Sequence, residues 1–159
     1  MHAGHLAILR HLLGSGFDAV RMIVSPESPF KEGGEATSQS RLEAVRGKVA
    51  QLVPDVVVDD VEFRLPRPNY TVNTMRALQQ AAPQTRFTVA MGADNFADIE
   101  KWRDWQEILS GYDIWVYPRK GFDIRQKCLE LGAKYIDVPE VDISSTEIRR
   151  GTADKNLMI

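Results

Sequence analysis

Short apolar runs that alternate with segments of helical spacing constrain this chain more than any other feature. Ala19 to Val24, Val56 to Phe63, Arg86 to Met91, Asp113 to Tyr117 and Tyr135 to Val138 each read as a short strand. Between them, Leu6 to Leu13, Ser38 to Leu52, Thr71 to Ala81 and Asp123 to Leu131 carry helical spacing, and Ser144 to Arg150 reads as a short closing helix. Punctuation agrees with this division. Gly14-Ser15-Gly16 can end the first helix, Pro54 stops the second, and Ser25 to Thr37, with two prolines and Gly33-Gly34, is a loop. Strands joined through helices are parallel, because a crossover returns the chain to the end of the sheet it left. The expectation is an α/β chain with a parallel sheet covered by helices on both faces, binding its ligand outside the carboxyl ends of the strands.

Composition narrows the class. A chain of 159 residues is the size of one domain, residues 1–159, and buries roughly 68–70% of the surface its unfolded form exposes. Hydrophobic residues make up 43% and charged residues 26%, so neither a disordered nor a membrane-spanning reading has support. No apolar stretch approaches the ~20 residues of a membrane helix. The start, Met1 to His5, lacks the basic and apolar regions of a secretory signal, and a lone Cys128 excludes an internal disulfide. The cytoplasm is the expected compartment. A net charge of -2 gives no basic footprint for nucleic acid, but a small anion needs only two or three positive groups in one cleft.

Six places in the chain carry residues suited to such a ligand. His2 and His5 lie three apart around Gly4 where the first helix begins, which puts both imidazoles on one face near the positive end of the helix dipole. The plainer alternatives are two surface histidines or half of a metal site. Ser144 and Glu147 fit a helix capping box, and Ser145, Thr146 and Arg149 add two hydroxyls and a guanidinium suited to polyphosphate on the same turn. Gly92-Ala93-Asp94 follows a strand, so a ligand can approach the backbone there while Asp94 accepts from ribose hydroxyls or helps to hold a metal; as an ordinary turn, Asp94 would be a helix cap. Trp102 and Trp105 sit in too polar a setting for both rings to be fully buried, and one could stack on a flat heterocycle. Thr71 reads as a helix N-cap that, with Tyr70, could also bond a substrate, and Lys31 lies on the proline-rich loop.

In this order, H-x-G-H, the loop ending in Lys31, Asn69-Tyr70-Thr71-Val72-Asn73-Thr74, Gly92-Ala93-Asp94 with Trp102 downstream, and Ile143-Ser144-Ser145-Thr146-Glu147-Ile148-Arg149 resemble bacterial nicotinate-nucleotide adenylyltransferase over nearly the whole chain. The first and last motifs are shared across the wider nucleotidyltransferase superfamily. The Tyr70-Thr71 and Gly92-Ala93-Asp94…Trp102 segments resemble the nicotinate-nucleotide branch. The resemblance implies a Rossmann-like fold and the reaction of ATP with nicotinate mononucleotide to give deamido-NAD and pyrophosphate, with Mg²⁺ as cofactor. It implies that His2, His5, Ser145, Thr146 and Arg149 contact ATP phosphates, with His2, His5 and Arg149 catalytic, and that Gly92 and Asp94 lie near the adenosine. It implies further that Tyr70, Thr71 and Trp102 hold the nicotinate end and that Lys31 reaches a phosphate.

The family pattern also places a strand and a Gly-rich turn, G-G-[ST]-F-[DN]-P, just before H-x-G-H, and a further helix after Arg149. The sequence has neither, so the sheet is expected to lack a central first strand and the chain its last helix. Two other readings stay open: phosphopantetheine adenylyltransferase, which shares both phosphate motifs, and a non-catalytic nucleotide-binding relic without the Gly-rich turn. Whether the chain forms a homo-oligomer is open as well.

Overall fold

The computed structural model describes residues 3–26 and 35–138. These fall into two compact units, residues 3–64 and residues 65–138. The expected closing helix from Ser144 lies outside the described residues.

In the first unit, helix α1 (Ala3–Leu13) precedes strand β1 (Val20–Ile23), and helix α2 (Glu35–Leu52) precedes strand β2 (Val56–Asp59). The strands pair in parallel from Val20 beside Val56 to Ile23 beside Asp59. Arg21 crosses the pair to Asp59 at 2.8 Å. Gly14 N–H donates to the Arg10 carbonyl, and Gly16, at φ 87°, turns the chain out of α1 in a conformation that glycine adopts without strain. Ile8, Leu9 and Leu12 on α1, Val20, Met22 and Ile23 on β1, and Leu42, Val45 and Val49 on α2 form its apolar interior. The helical positions recur at three and four residues, the stripe that lets one helix face cover a sheet.

The expected strand Val56 to Phe63 ends early. Val61–Arg64 is a turn of 3-10 helix, because the Asp59 carboxylate accepts from Val61 N–H at 2.9 Å and the Asp60 carbonyl accepts from Phe63 N–H. A short acidic side chain that captures nearby backbone donors competes directly with a ladder. Asp60 is held by Arg64 and, at 2.8 Å, by Arg46, which keep its carboxyl below the usual carboxylate range.

The second unit runs from helix α3 (Thr71–Ala81) through strand β3 (Thr88–Gly92), helix α4 (Ala93–Ala97), a 3-10 turn (Ile99–Lys101) and helix α5 (Trp105–Gly111). It continues through strand β4 (Asp113–Tyr117) and helix α6 (Arg125–Leu131) to strand β5 (Lys134–Tyr135). The strand order is β3-β4-β5, all parallel. Val89, Ala90 and Met91 are consecutive and all buried. Successive strand residues face opposite sides, so this sheet is covered on both. Phe96, Ile99, Ile108, Val116 and Cys128 complete the interior.

Other boundaries differ from those expected: α2 begins at Glu35 rather than Ser38, and β3 runs Thr88–Gly92 rather than Arg86 to Met91. The last strand is two residues long rather than Tyr135 to Val138, although Ile136 N–H still reaches the Val116 carbonyl at 2.8 Å. Helix α6 starts at Arg125 rather than Asp123, with Ile124 as its cap. Among the described residues the strands form two sheets, β1-β2 and β3-β4-β5, rather than one.

Two glycines test this backbone. Gly132 caps α6 at φ 75°, a left-handed conformation that penalises a side chain, whereas Gly47 is exposed within α2 and a methyl there meets nothing within 4 Å. Gly132→Ala should lose about 1 kcal/mol and Gly47→Ala should gain about 0.5–1 kcal/mol. Urea unfolding checks both signs, and equal effects would contradict the assigned backbone.

Candidate active site

The carboxyl ends of β3 and β4 lie level, because the register sets Gly92 beside Tyr117. Beyond that line each strand releases its chain, Gly92 as the cap of α4 and Tyr117 through Pro118 into Arg119. Four residues meet there. A Cβ on Gly92 would lie 2.5 Å from Asp94 Oδ1, 3.1 Å from Arg119 Nε and 3.2 Å from Tyr117 Cε2. At φ -72° the Gly92 backbone is ordinary, so what demands glycine is space.

Asp94, in the first turn of α4, makes an ion pair with Arg119, Oδ1 to Nε 3.6 Å. The helix cap is Gly92, so Asp94 is not the N-cap that the plainer reading of this turn requires. Both of those atoms are buried and neither has a hydrogen-bond partner, since 3.6 Å is too long for one. The Arg119 guanidinium stands 5.4 Å from the centroid of the Tyr117 ring. Tyr117 itself is buried, which pushes its hydroxyl pKa up and keeps it a neutral donor. Arg119 is fixed from behind by a tight turn: Phe122 N–H donates to its carbonyl at 3.1 Å, and Gly121 supplies the positive φ, 83°, at the third position.

A second cluster joins the start of α3 to the segment after the 3-10 turn. Tyr70 is the cap of α3 and Thr71 its first residue, which corrects the expectation of Thr71 as cap; the Tyr70 backbone is extended, as a cap requires. The Arg103 guanidinium lies 4.3 Å over the Tyr70 ring. From α3, Arg76 reaches Asp104 at 3.2 Å and Glu107 through two nitrogens, while Asn73 orients it from its own helix. These exposed pairs add little to stability, but they set where residues 102–104 lie against α3. Trp102 N–H donates to the Ile99 carbonyl at 3.0 Å, and the rings of Trp102 and Trp105 are both half-buried, as their polar setting predicts.

In the first unit His5 is the third residue of the eleven-residue α1 and only 1% exposed. It is therefore not one of two surface histidines, and it lies at the positive end of the helix dipole. The structure thus brings Gly92 with Asp94, and Tyr70 and Thr71 with the segment that carries Trp102. His2, Lys31, Ser145, Thr146 and Arg149 lie outside the described residues. Sequence reasoning missed Tyr117 and Arg119. The available signal was a basic residue two positions beyond a confident strand, at the end where parallel sheets bind ligands.

The model of the cytidylyltransferase-like family matches residues 1–151. A probable nicotinate-nucleotide adenylyltransferase from Flavobacterium psychrophilum is 35% identical over 98% of this chain and 82% of its own length. One of the same name from Bacteroides fragilis is 36% identical over 96% of this chain and 77% of its own. Among solved structures, nicotinic acid mononucleotide adenylyltransferase of Plasmodium falciparum, complexed with NaAD, superposes with a TM-score of 0.67 at 16% identity over 92% of this chain and 76% of that one. At that identity the likeness speaks for the fold, which is the Rossmann-like nucleotidyltransferase fold.

The chain therefore belongs to the cytidylyltransferase-like nucleotidyltransferases, a class of transferases acting on nucleotides. Within that class it is a member of the nicotinate-nucleotide adenylyltransferase family. Among the described residues no helix is long and apolar enough to cross a membrane, and no group of three His, Cys, Asp or Glu residues could hold a metal ion.

The crowding at Gly92 gives a direct check. Gly92→Ala forces the Asp94 carboxylate aside and should weaken nucleotide binding at least tenfold, whereas Gly111→Ala, where a methyl meets nothing within 4 Å, should leave it unchanged. Calorimetric titration of ATP into both variants measures this.

Proposed function

We propose that the chain transfers the adenylyl group of ATP to nicotinate mononucleotide, forming deamido-NAD and pyrophosphate in NAD biosynthesis. A phosphate oxygen of the mononucleotide attacks the α-phosphorus of ATP, the bond from that phosphorus to the bridging oxygen breaks, and pyrophosphate leaves. The nucleophile is already anionic at neutral pH, so no strong general base is required. What the protein supplies is alignment of two anions and stabilisation of the charge that develops between them.

The observation that carries this reading is the Tyr70–Arg103 and Arg76–Asp104 linkage, which ties the Trp102 segment to the start of α3. A half-buried indole next to a tyrosine and a threonine at a helix start suits a flat, negatively substituted pyridine ring. Trp102 stacks on the ring in this assignment, and Tyr70 and Thr71 bond its carboxylate end. Gly92 lets the adenosine approach the backbone, and Asp94 accepts from its ribose. His2, His5, Ser145, Thr146 and Arg149 bind the ATP phosphates, and Lys31 reaches the phosphate of the mononucleotide.

Nucleotidyltransferases use a divalent cation, and Mg²⁺ is the ion proposed here. Asp94 lies at the β3 end with Arg119 at 3.6 Å as its counter-charge, so it suits a ribose better than a metal. Mg²⁺ characteristically binds through substrate phosphates and water with few protein ligands. Bound with ATP, it offsets phosphate charge. The α1 dipole contributes about 0.3–1 kcal/mol, whereas a millionfold acceleration requires about 8 kcal/mol. Side-chain donors must therefore supply most of the rest. The cytoplasm is the proposed compartment.

Pyrophosphate release tests the reading. ATP with nicotinate mononucleotide should release it, and ATP with phosphopantetheine should not. ATP binding without release from any acceptor would instead favour a non-catalytic nucleotide-binding domain. For His5, burial changes the choice of variant, because His5→Ala removes a packed ring and should lower stability as well as turnover. His5→Asn keeps a donor of smaller size and should lower kcat by about 10²–10³, the usual loss for a misplaced donor. A kcat within threefold of the parent would remove His5 from the reaction.

A further inference from the structure

Asp94 and Arg119 together present an arrangement that the proposed roles do not absorb. The Asp94 side chain is 30% exposed although its Oδ1 is buried, so the exposure lies on the rest of the side chain. Oδ1 faces Arg119 Nε at 3.6 Å, close enough for strong attraction in a buried setting but too far for a hydrogen bond. The Arg119 side chain is 19% exposed, packed by Tyr117 and held by the turn through Gly121. A partly buried carboxylate without a cation beside it is drawn toward solvent. Arg119 thus fixes one oxygen of Asp94 on the inner side by charge alone.

We infer that Arg119 is a positioning residue for nucleotide selection: it holds the Asp94 carboxylate turned so that its outer oxygen accepts from a ribose hydroxyl of ATP. This rests on the reading that Gly92 and Asp94 take the adenosine end of ATP. Arg119 touches neither ribose nor phosphate in this role. It acts through Asp94, and because the pair is not hydrogen-bonded, positive charge at that place matters more than the planar fork of the guanidinium.

The test is equilibrium binding of ATP, 2′-deoxy-ATP and 3′-deoxy-ATP to the full chain and to Asp94→Ala, Arg119→Lys and Arg119→Met variants. The parent should prefer ATP to at least one deoxy analogue by tenfold or more, the scale of one charge-assisted hydrogen bond. Asp94→Ala should lose that preference to within twofold. Arg119→Met should lose it equally, Arg119→Lys should retain it, and the double variant Asp94→Ala with Arg119→Met should be no worse than either single change. A packing role alone would weaken all three nucleotides together and leave the ratio intact. Should Arg119→Met unfold, Arg119→Gln, which removes the charge but keeps polar contacts, carries the same expectation. Undiminished discrimination in the uncharged variant, or none in the parent, overturns the inference. Pyrophosphate release with nicotinate mononucleotide is scored separately. Failure there with the discrimination pattern intact removes the reaction but leaves Arg119 in place, and normal release with discrimination independent of Arg119 removes Arg119 alone.

Discussion

The parallel pairing of β3 with β4 is the constraint on which the candidate site depends. A register that sets Gly92 beside Tyr117 ends both strands at one level, and the residues that follow have to share the space beyond. Asp94 arrives from one strand and Arg119 from the other, 25 positions apart in sequence (119 − 94) yet in contact as an ion pair. A slip of one residue would turn the side chains of a strand to the opposite face and separate the pair. Burial of Val89, Ala90 and Met91 on both faces of the sheet makes such a slip costly, so packing that looks purely structural also fixes the geometry of the site.

Glycine at position 92 follows from the same crowding. Many glycines at ligand sites are explained by unusual dihedral angles, but here the angles suit any residue and a methyl group would displace the Asp94 carboxylate. The second cluster works differently. Arg76, Asp104 and Glu107 are exposed, and their attraction is screened by solvent, so they direct the Trp102 segment more than they stabilise it. One site residue set is thus held by close packing at strand ends and the other by a surface charge network.

Much of the fold was legible in the sequence for reasons visible in particular segments. Asp113 to Tyr117 was read to the residue because an apolar run is bounded by a glycine and tyrosine before it and a proline after it. Thr71 to Ala81 was equally clear from its buried stripe of Val72, Met75 and Leu78. The misses have physical causes. Asp59 and Asp60 divert the backbone after β2, an effect of side-chain hydrogen bonds that an apolar count does not register. The last strand looked longer because Ile136 and Val138 are buried core residues, but burial there continues past the two residues that pair as a strand. Gly92, Asp94, Tyr70, Thr71 and Trp102 were legible as motif members. Arg119 was not, since its significance lies in what β4 places it against, and a lone arginine after a proline carries no pattern of its own.

The central claim is that nucleotide binds at the carboxyl ends of β3 and β4. Hydrogen exchange of the chain with and without ATP measures it most directly. Binding at that place should slow exchange at residues 92–97 and 119–122 while residues 20–23 and 56–59 of the other unit's sheet keep their rates. Saturating ATP that leaves residues 92–97 and 119–122 exchanging as in the free protein would contradict the account.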